Sequence, residues 1–455
     1  MNILRRTRIM FTDKAFMRKT FSIALPVTVQ ALLNNVLNMV DTLMIGQLGE
    51  STIAAVGLAN KVFFVFSLLM FGICSGAGIL AAQYYGEEDI SNLHRVLGMT
   101  LLLGVTGALL FMVPAIFIPD MVMRIFTPST EAIAIGCTYL VIVCISYPFT
   151  AVTQGYIAIL RAANQVVAPV IISMVSIMVN VILNYGLIFG KLGLPELGVA
   201  GAALATLIAR VIECISLIFV IYLKKSPAAA KFREMLSLSG HFVKKFFATA
   251  APVIANEFMW GLGVTIYSLV YGRMGDGAVA AITICQSVEQ VYQVVFQGLS
   301  AATAVILGNI LGAGDLKRAD EYGKNFILLQ FILSLAAMGI CTGSRELLLG
   351  MFAVSEEVAG FVRGCFTVFT LYIPAKNFNY VNIVGILRSG GDTKTALFLD
   401  TTGVWLIGIP LAFLGGMVLQ LPIYIVYAMV MAEEVYKLIL GFIRYRKKLW
   451  LRKIV

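Results

Sequence analysis

The chain predicts an all-α membrane protein: twelve transmembrane helices in two pseudo-symmetric six-helix bundles. Three observations carry this expectation. Of 455 residues, 60% are hydrophobic and 13% charged, with a mean hydropathy of +0.91. That is too apolar for the roughly three soluble domains this length would allow. Apolar runs of roughly 20 residues recur from end to end, each long enough to cross a bilayer. Finally, the sequence repeats itself at a shift of 226 residues, which takes Pro26 to Pro252, Gly46 to Gly272, Gly72 to Gly298, Gly86 to Gly312 and Pro148 to Pro374. The text agrees, with GQLGESTIAAV against GRMGDGAVAAI and AQYYGEED against GNILGAGD.

In chain order, spans are predicted at about 20–46, 52–82, 93–117, 131–156, 166–188, 199–222, 246–271, 277–307, 321–342, 358–387, 395–417 and 422–443. The basic start (Arg5, Arg6, Arg8, Lys14, Arg18, Lys19) precedes an apolar run too long and too polar on one face for a cleaved signal peptide. Basic residues then cluster in alternate loops: His94/Arg95, Arg161, Lys224 to Lys245, Lys317/Arg318/Lys324, Arg388/Lys394, and a tail from Arg444 to Lys453. The opposite loops hold little beyond Arg124, Lys191, Arg273 and Arg345. This bias places both termini in the cytoplasm. It also explains the net charge of +10 without a nucleic-acid partner.

The longest connector, Lys224 to Lys245, reads as a basic, partly helical strap on the inner leaflet. It divides the chain into a first bundle (1–222), a connector (223–245) and a second bundle with a basic cytoplasmic tail (246–455). Six spans per half is an even number, so both copies enter the membrane the same way. The repeat is therefore parallel, about an axis along the membrane normal, an architecture suited to alternating access. The seven cysteines lie mostly in apolar stretches with no CxxC, and read as packing residues.

The first span carries the most informative polar pattern. Gln30, Asn34, Asn38 and Asp41 recur at spacings of four, four and three, on one helix face. A carboxylate at mid-membrane costs about 2.5–3.5 kcal/mol on insertion scales, so a chain that keeps one has a use for it. Depth follows from topology. Asp41 lies near the outer end of an outgoing helix, Asn180 and Asn184 late on another, and Tyr139 and Thr206 early on helices entering from outside. All five can meet in the outer half of the first bundle. One carboxylate with amide, hydroxyl and phenol oxygens suits a monovalent cation or a proton. The same set also fits a hydrogen-bond network that only holds helices together.

The second bundle has its own polar set: Gln286, Glu289, Gln293, Gln297 and Ser300 on span eight, Glu257 and Trp260 on span seven, Lys376, Asn377 and Asn382 on span ten. An ion pair of Lys376 with Glu257 or Glu289 would let both charges be buried, as a fixed neutralising pair or as part of a coupling or substrate site. Lys61 is a candidate partner for Asp41. Asp400, Arg210 and Glu213 read first as bundle-internal pairs. Pro26, Pro252 and Pro374 each remove a backbone hydrogen bond and invite a bend, static or moving. There is no GxxxxGK[ST] for a nucleotide and no HExxH, so an enzyme or a self-contained ATP-driven pump is not expected.

The repeat, the Asp41 helix, the NYGLIFGKLGLPELGVAGAALAT stretch (Asn184 to Thr206) and the NEFMWGLG stretch (Asn256 to Gly263) resemble the multidrug and toxic compound extrusion (MATE) transporters, over about Phe21 to Trp450. The resemblance implies a secondary antiporter that exports amphipathic, often cationic, compounds in exchange for protons or sodium. It implies no further cofactor, a monomer, and a bacterial plasma (inner) membrane. It puts the ion and proton site at Asp41, with Asn180, Asn184 and Thr206 beside it. One branch of the family has an aspartate where this chain has Asn184, which removes a charge. Another has a seventh-helix glutamate, for which Glu257 stands about one turn early; sodium is expected at Asp41 or Glu257. A lipid-linked saccharide flippase, which shares a similar helical plan, is the alternative. It should line its cleft with more cationic residues.

Overall fold

The computed structural model describes residues 7, 10–352 and 354–455. Arg5, Arg6 and Arg8 of the basic start lie outside the described residues. The twelve-helix membrane fold follows the predicted order: Lys14–Gly46, Glu50–Gly86, Ile90–Phe117, Thr130–Ala162, Val167–Phe189, Gly198–Leu223, Gly240–Gly272, Asp276–Gly312, Leu316–Leu349, Glu356–Leu387, Thr393–Val418 and Ile423–Arg446, called spans 1 to 12 below. Eleven of these are long and apolar enough to cross a membrane by composition among the described residues. Span 12 is as long but carries Glu433, Glu434 and Lys437 in mid-helix. Large apolar side chains such as Leu110, Phe117, Phe219 and Leu406 are 64–77% exposed, as lipid-facing residues should be.

The repeat reappears as local geometry. Asp89 and Asp315, 226 residues apart, each cap the third helix of their half by accepting from the backbone N–H three residues on, at 3.0 Å. The residue before each cap is left-handed: Glu88 at φ 64° and Gly314 at φ 79°. Glycine takes that conformation freely, whereas glutamate accepts roughly 1–2 kcal/mol to keep the turn. Among the described residues, regular α-helix gives way in four segments of spans 4, 10 and 11. A 3-10 turn at Cys144–Ser146 precedes Pro148 in span 4. Span 10 ends in π-helix over Tyr380–Leu387, and span 11 contains π-helix at Gly403–Gly408 and Leu414–Val418. Such wider turns are frequent at functional sites.

Tertiary contacts divide the chain into two units. One holds Val29–Tyr85 and Asp89–Ile254; the other holds the described residues up to Thr28, 86–88 and Ala255–Val455. The cut runs through the first helix of each half, two residues past Pro26 and two past Pro252. Glycines make room for these exchanged helix starts. Within the second unit, a Cβ on Gly298 would run into Thr28 Oγ1 and the Ala24 carbonyl. Within the first, a Cβ on Gly72 would lie 2.7 Å from Ile254 Cα, and one on Gly76 2.6 Å from Ala250 Cα. The first unit's core includes Phe66 stacked on Tyr147 at 5.0 Å. The second unit's core gathers Tyr271, Phe366, Phe369 and Tyr427, with Cys285, Cys341 and Cys365 packed among them.

The connector is pinned to the helix ends beneath it. Its short helix, Phe232–Met235, lies so close to Gly98 that a Cβ there would strike the Met235 carbonyl. His94 bridges Glu234 Oε2 (2.9 Å) and the Pro227 carbonyl (3.0 Å), and Ser226 donates to Gln165 at 2.6 Å. The Lys231 backbone amide, with His94 beside it, holds the Glu234 carboxyl below its usual range. His94→Ala should therefore raise the rate of trypsin cleavage at Lys231 and Arg233 severalfold in the purified protein. An unchanged rate would mean that Gly98 and Gln165 hold the strap without the histidine.

One basic position differs from the sequence reading. Arg388, assigned to a cytoplasmic loop, is 1% exposed and reaches into the second unit. The basic C-terminal tail is folded. Trp450 is fully buried, Arg452 donates to the Gly390 and Gly391 carbonyls at 2.9 and 3.0 Å, and Lys453 pairs with Glu87 at 2.5 Å. Hydropathy and charge bias cannot see either contact, because both depend on partners far along the chain.

Candidate functional site

The first unit contains a cavity of about 350 Å³ lined by residues of spans 1, 2, 4, 5 and 6. Asp41, Tyr139, Asn180, Asn184 and Thr206 all line it. The helical spacing that put Asn38 and Asp41 on one face delivers both to the cavity wall. Asn184 Nδ2 donates to Asp41 Oδ1 at 2.7 Å and to Asn180 Oδ1 at 3.1 Å. Asn180 Nδ2 reaches Thr206 Oγ1 at 3.4 Å, and that hydroxyl donates back to the Ala202 carbonyl at 3.1 Å. Asn184 Oδ1 is buried without a protein hydrogen-bond partner. A carboxylate, an orphaned amide oxygen and a hydroxyl within one small cavity form a set of hard oxygen ligands.

Other parts of this unit differ from the sequence reading. Lys61 is exposed and, among the described residues, forms no ion pair with Asp41. Its neighbour Asn60, which sequence reasoning passed over, lines the cavity together with Tyr139. Adjacent helix positions point about 100° apart, so only one of the pair can face inward. Gln30 donates to Ser173 at 3.1 Å, Ser173 to Glu213 at 2.7 Å, and Arg210 Nη1 pairs with Glu213 at 2.8 Å. Arg210 also lines the cavity, so the expected internal pair places a cation on the same wall as Asp41. Asn34 is half-buried on its stripe and lies outside the cavity lining.

Three groups of charges in the second unit bear on the residues singled out from the sequence. Glu257 pairs with Arg388 at 3.0 Å, and beside them Asn256 donates to Asp400 at 3.0 Å. Lys376 pairs with Glu289, whose other oxygen accepts from Tyr427 at 3.0 Å. Of the two partners open to Lys376, the fold takes Glu289 and gives Glu257 to Arg388. Lys437 bridges Glu433 (3.4 Å) and Glu434 (3.0 Å) along span 12. The AEEVYK stretch was visible in the last apolar run, and three charges within five residues of mid-span were a signal that sequence reading missed. Asn377 donates to Ser334 at 3.3 Å, and Ser300 to the Tyr380 carbonyl at 3.3 Å. Gln286 is exposed, Gln293 half-buried, and Trp260 44% exposed.

The family model described as MatE matches residues 26–186 and again 252–414, one copy per half, beginning at Pro26 and Pro252. Among relatives, an uncharacterized transporter YisQ of Bacillus subtilis is 23% identical over 441 residues, 97% of this chain and 96% of that protein. A probable multidrug resistance protein NorM of Thermotoga maritima is 22% identical over 446 residues, 96% of this chain and 94% of the relative. Among solved structures, an outward-facing conformation of a multidrug resistance MATE family transporter aligns with TM-score 0.85 at 18% identity, over 94% of this chain and 95% of that one. A MATE crystal structure in the bent conformation aligns with TM-score 0.86 at 18% identity, over 95% of each chain.

Proposed function

The chain belongs to the MatE family, and from that membership we propose that it is a secondary antiporter exporting small amphipathic, often cationic, compounds across the plasma membrane in exchange for protons or sodium. The observation that carries the proposal is the Asp41 cavity. It holds a carboxylate with Asn180, Asn184, Tyr139 and Thr206 around it, a set able to bind and release a small cation in the membrane interior. Glu257 is the poorer sodium site, because Arg388 already neutralises it. The reading includes both termini in the cytoplasm, a monomer, and no enzymatic step. Names given to relatives, such as multidrug resistance protein, support the substrate class.

Coupling requires that the cation and the exported compound favour different conformations, since a ligand shifts an equilibrium only through its different affinities for the two states. The test is uptake of an organic cation into proteoliposomes with a pH gradient or a sodium gradient imposed one at a time. One gradient should drive accumulation without ATP. The proposal fails if neither does, and movement of a lipid-linked saccharide instead would select the flippase.

A further inference from the structure

The buried charges of span 12 do not balance. Around Lys437 and Lys376 stand three carboxylates, Glu289, Glu433 and Glu434. Counting outward adds Asp400, which faces Lys437 and is held by Asn256, and the neutral Glu257–Arg388 pair. The excess of negative charge only grows. Among the described residues, Tyr267 and Tyr271 of span 7 also face Glu433. Glu433 and Glu434 are each 6% exposed, and so is Lys437.

The hydrogen bonds tell where a proton can sit. Both Glu434 oxygens meet groups that only donate: Lys437 at 3.0 Å, and Asn379 Nδ2 at 2.7 Å. Glu434 is thereby fixed as an acceptor. Glu289 is paired directly with Lys376. Glu433 shares Lys437 at the longer 3.4 Å, and its Oε2 meets the Tyr267 hydroxyl at 2.7 Å. A hydroxyl donates and accepts alike, and Tyr267 has a second acceptor, the Val404 carbonyl, at 3.5 Å. Val404 opens no α-helical turn here; it lies in the π-helical part of span 11. Gly408 in the same segment has no Cβ to strike the Tyr267 hydroxyl and Glu433 Oε2.

A polar track leads away from this group. Asn379, 4% exposed, gives its amide N–H to Glu434 and keeps Oδ1 buried without a protein partner. One turn on, Asn382 is fully buried with neither amide atom bonded among the described residues, and faces Gly441 of span 12. Beyond it Arg444 grips Asp392 at 2.6 and 3.0 Å. Glu434, Lys437, Gly441 and Arg444 share one face of span 12. Buried polar atoms left without protein partners are where water bridges.

We propose that Glu433 is a proton-carrying site of the second unit, separate from the Asp41 cavity. The Glu433–Glu434–Lys437 group holds one exchangeable proton, on Glu433 Oε2. Loading forms the carboxyl O–H, which donates to Tyr267, while Tyr267 turns its own O–H to the Val404 carbonyl. Release breaks that O–H bond, hands the proton to water and reverses both hydrogen bonds; the buried, unbonded amide atoms of Asn379 and Asn382, on the Glu434 side of the group, are sites for such water. A metal cation is disfavoured, because each oxygen of Glu433 and Glu434 already meets a protein donor and the ammonium of Lys437 stands between them.

That the proton serves coupling rests on the antiport reading; that it is there does not. The first measurement is therefore infrared spectroscopy of the full-length protein in lipid vesicles at neutral pH. Wild type should show a buried protonated-carboxyl band that shifts in D2O. The band should be lost in Glu433→Gln, shifted but kept in Glu433→Asp, and kept in Asp41→Asn. No such band in wild type, or the same band in Glu433→Gln, overturns the site. The second measurement is gradient-driven export against pH, whose profile should change in Glu433→Gln and be restored in Glu433→Asp. A lost band with unchanged pH dependence overturns the coupling role. If wild type exports nothing, the antiport reading fails while the infrared result still decides the proton.

Discussion

Asp41→Asn abolishes gradient-driven export and leaves the protein folded in the membrane. The substitution keeps the shape of the side chain. Its remaining carbonyl can still accept from Asn184, which now sits 2.7 Å from Asp41 Oδ1, so the links to Asn180 and Thr206 stay in place. What disappears is the negative charge in a cavity whose other charged wall is Arg210. A cation attracted by that charge loses its binding energy, while Arg210 remains to repel it. Export of an amphipathic cation should fall to the level of empty vesicles at equal membrane abundance and an unchanged unfolding midpoint. Normal export by this variant would remove Asp41 from the coupling site and leave its network as helix packing. The matching change in the other unit, Glu257→Gln, behaves differently. It strands the buried Arg388, and breaking a buried pair costs about 3–5 kcal/mol. That variant should lose stability before it loses coupling.

Trp450→Ala unfolds the C-terminal tail and destabilises the second unit. The indole is fully buried, stacked on Tyr445 with ring centroids 6.0 Å apart, and a Cβ on Gly323 would touch it at 2.9 Å. Emptying a buried tryptophan site costs about 3–5 kcal/mol. The neighbouring contacts, Arg452 to Gly390 and Gly391, Lys453 to Glu87 and Lys448 to Asp320, are held in register by the ring and go with it. A lowered unfolding midpoint in detergent, with new trypsin cleavage at Arg452, is the expected result. Lys447→Ala, at an exposed position of the same segment, should change neither. An unchanged midpoint in Trp450→Ala would mean the tail adds no stability.

The sequence by itself determined what depends on short-range pattern. Hydropathy located eleven of the twelve spans among the described residues, because crossing a bilayer demands about 20 apolar residues wherever the helix goes; the charged twelfth followed from the six-span repeat. The 226-residue repeat announced paired turns, and Asp89 and Asp315 cap them alike. The three- and four-residue spacing put Asn38 and Asp41 on one face, and topology placed Tyr139, Asn180, Asn184 and Thr206 at a matching depth. Tertiary structure alone decided partners. Lys376 could neutralise Glu289 or Glu257, and only helix rotation chose Glu289 and left Glu257 to Arg388. Asn60 and Lys61 were equally polar neighbours, both exposed, and packing set only the asparagine on the cavity wall. The passage of each half's first helix from one unit to the other, just beyond Pro26 and Pro252, leaves no mark in composition. The reason is common to all three: pattern fixes which face and depth a side chain occupies along its own helix, whereas its partner depends on the rotation of a second helix, set by the packing of the whole unit.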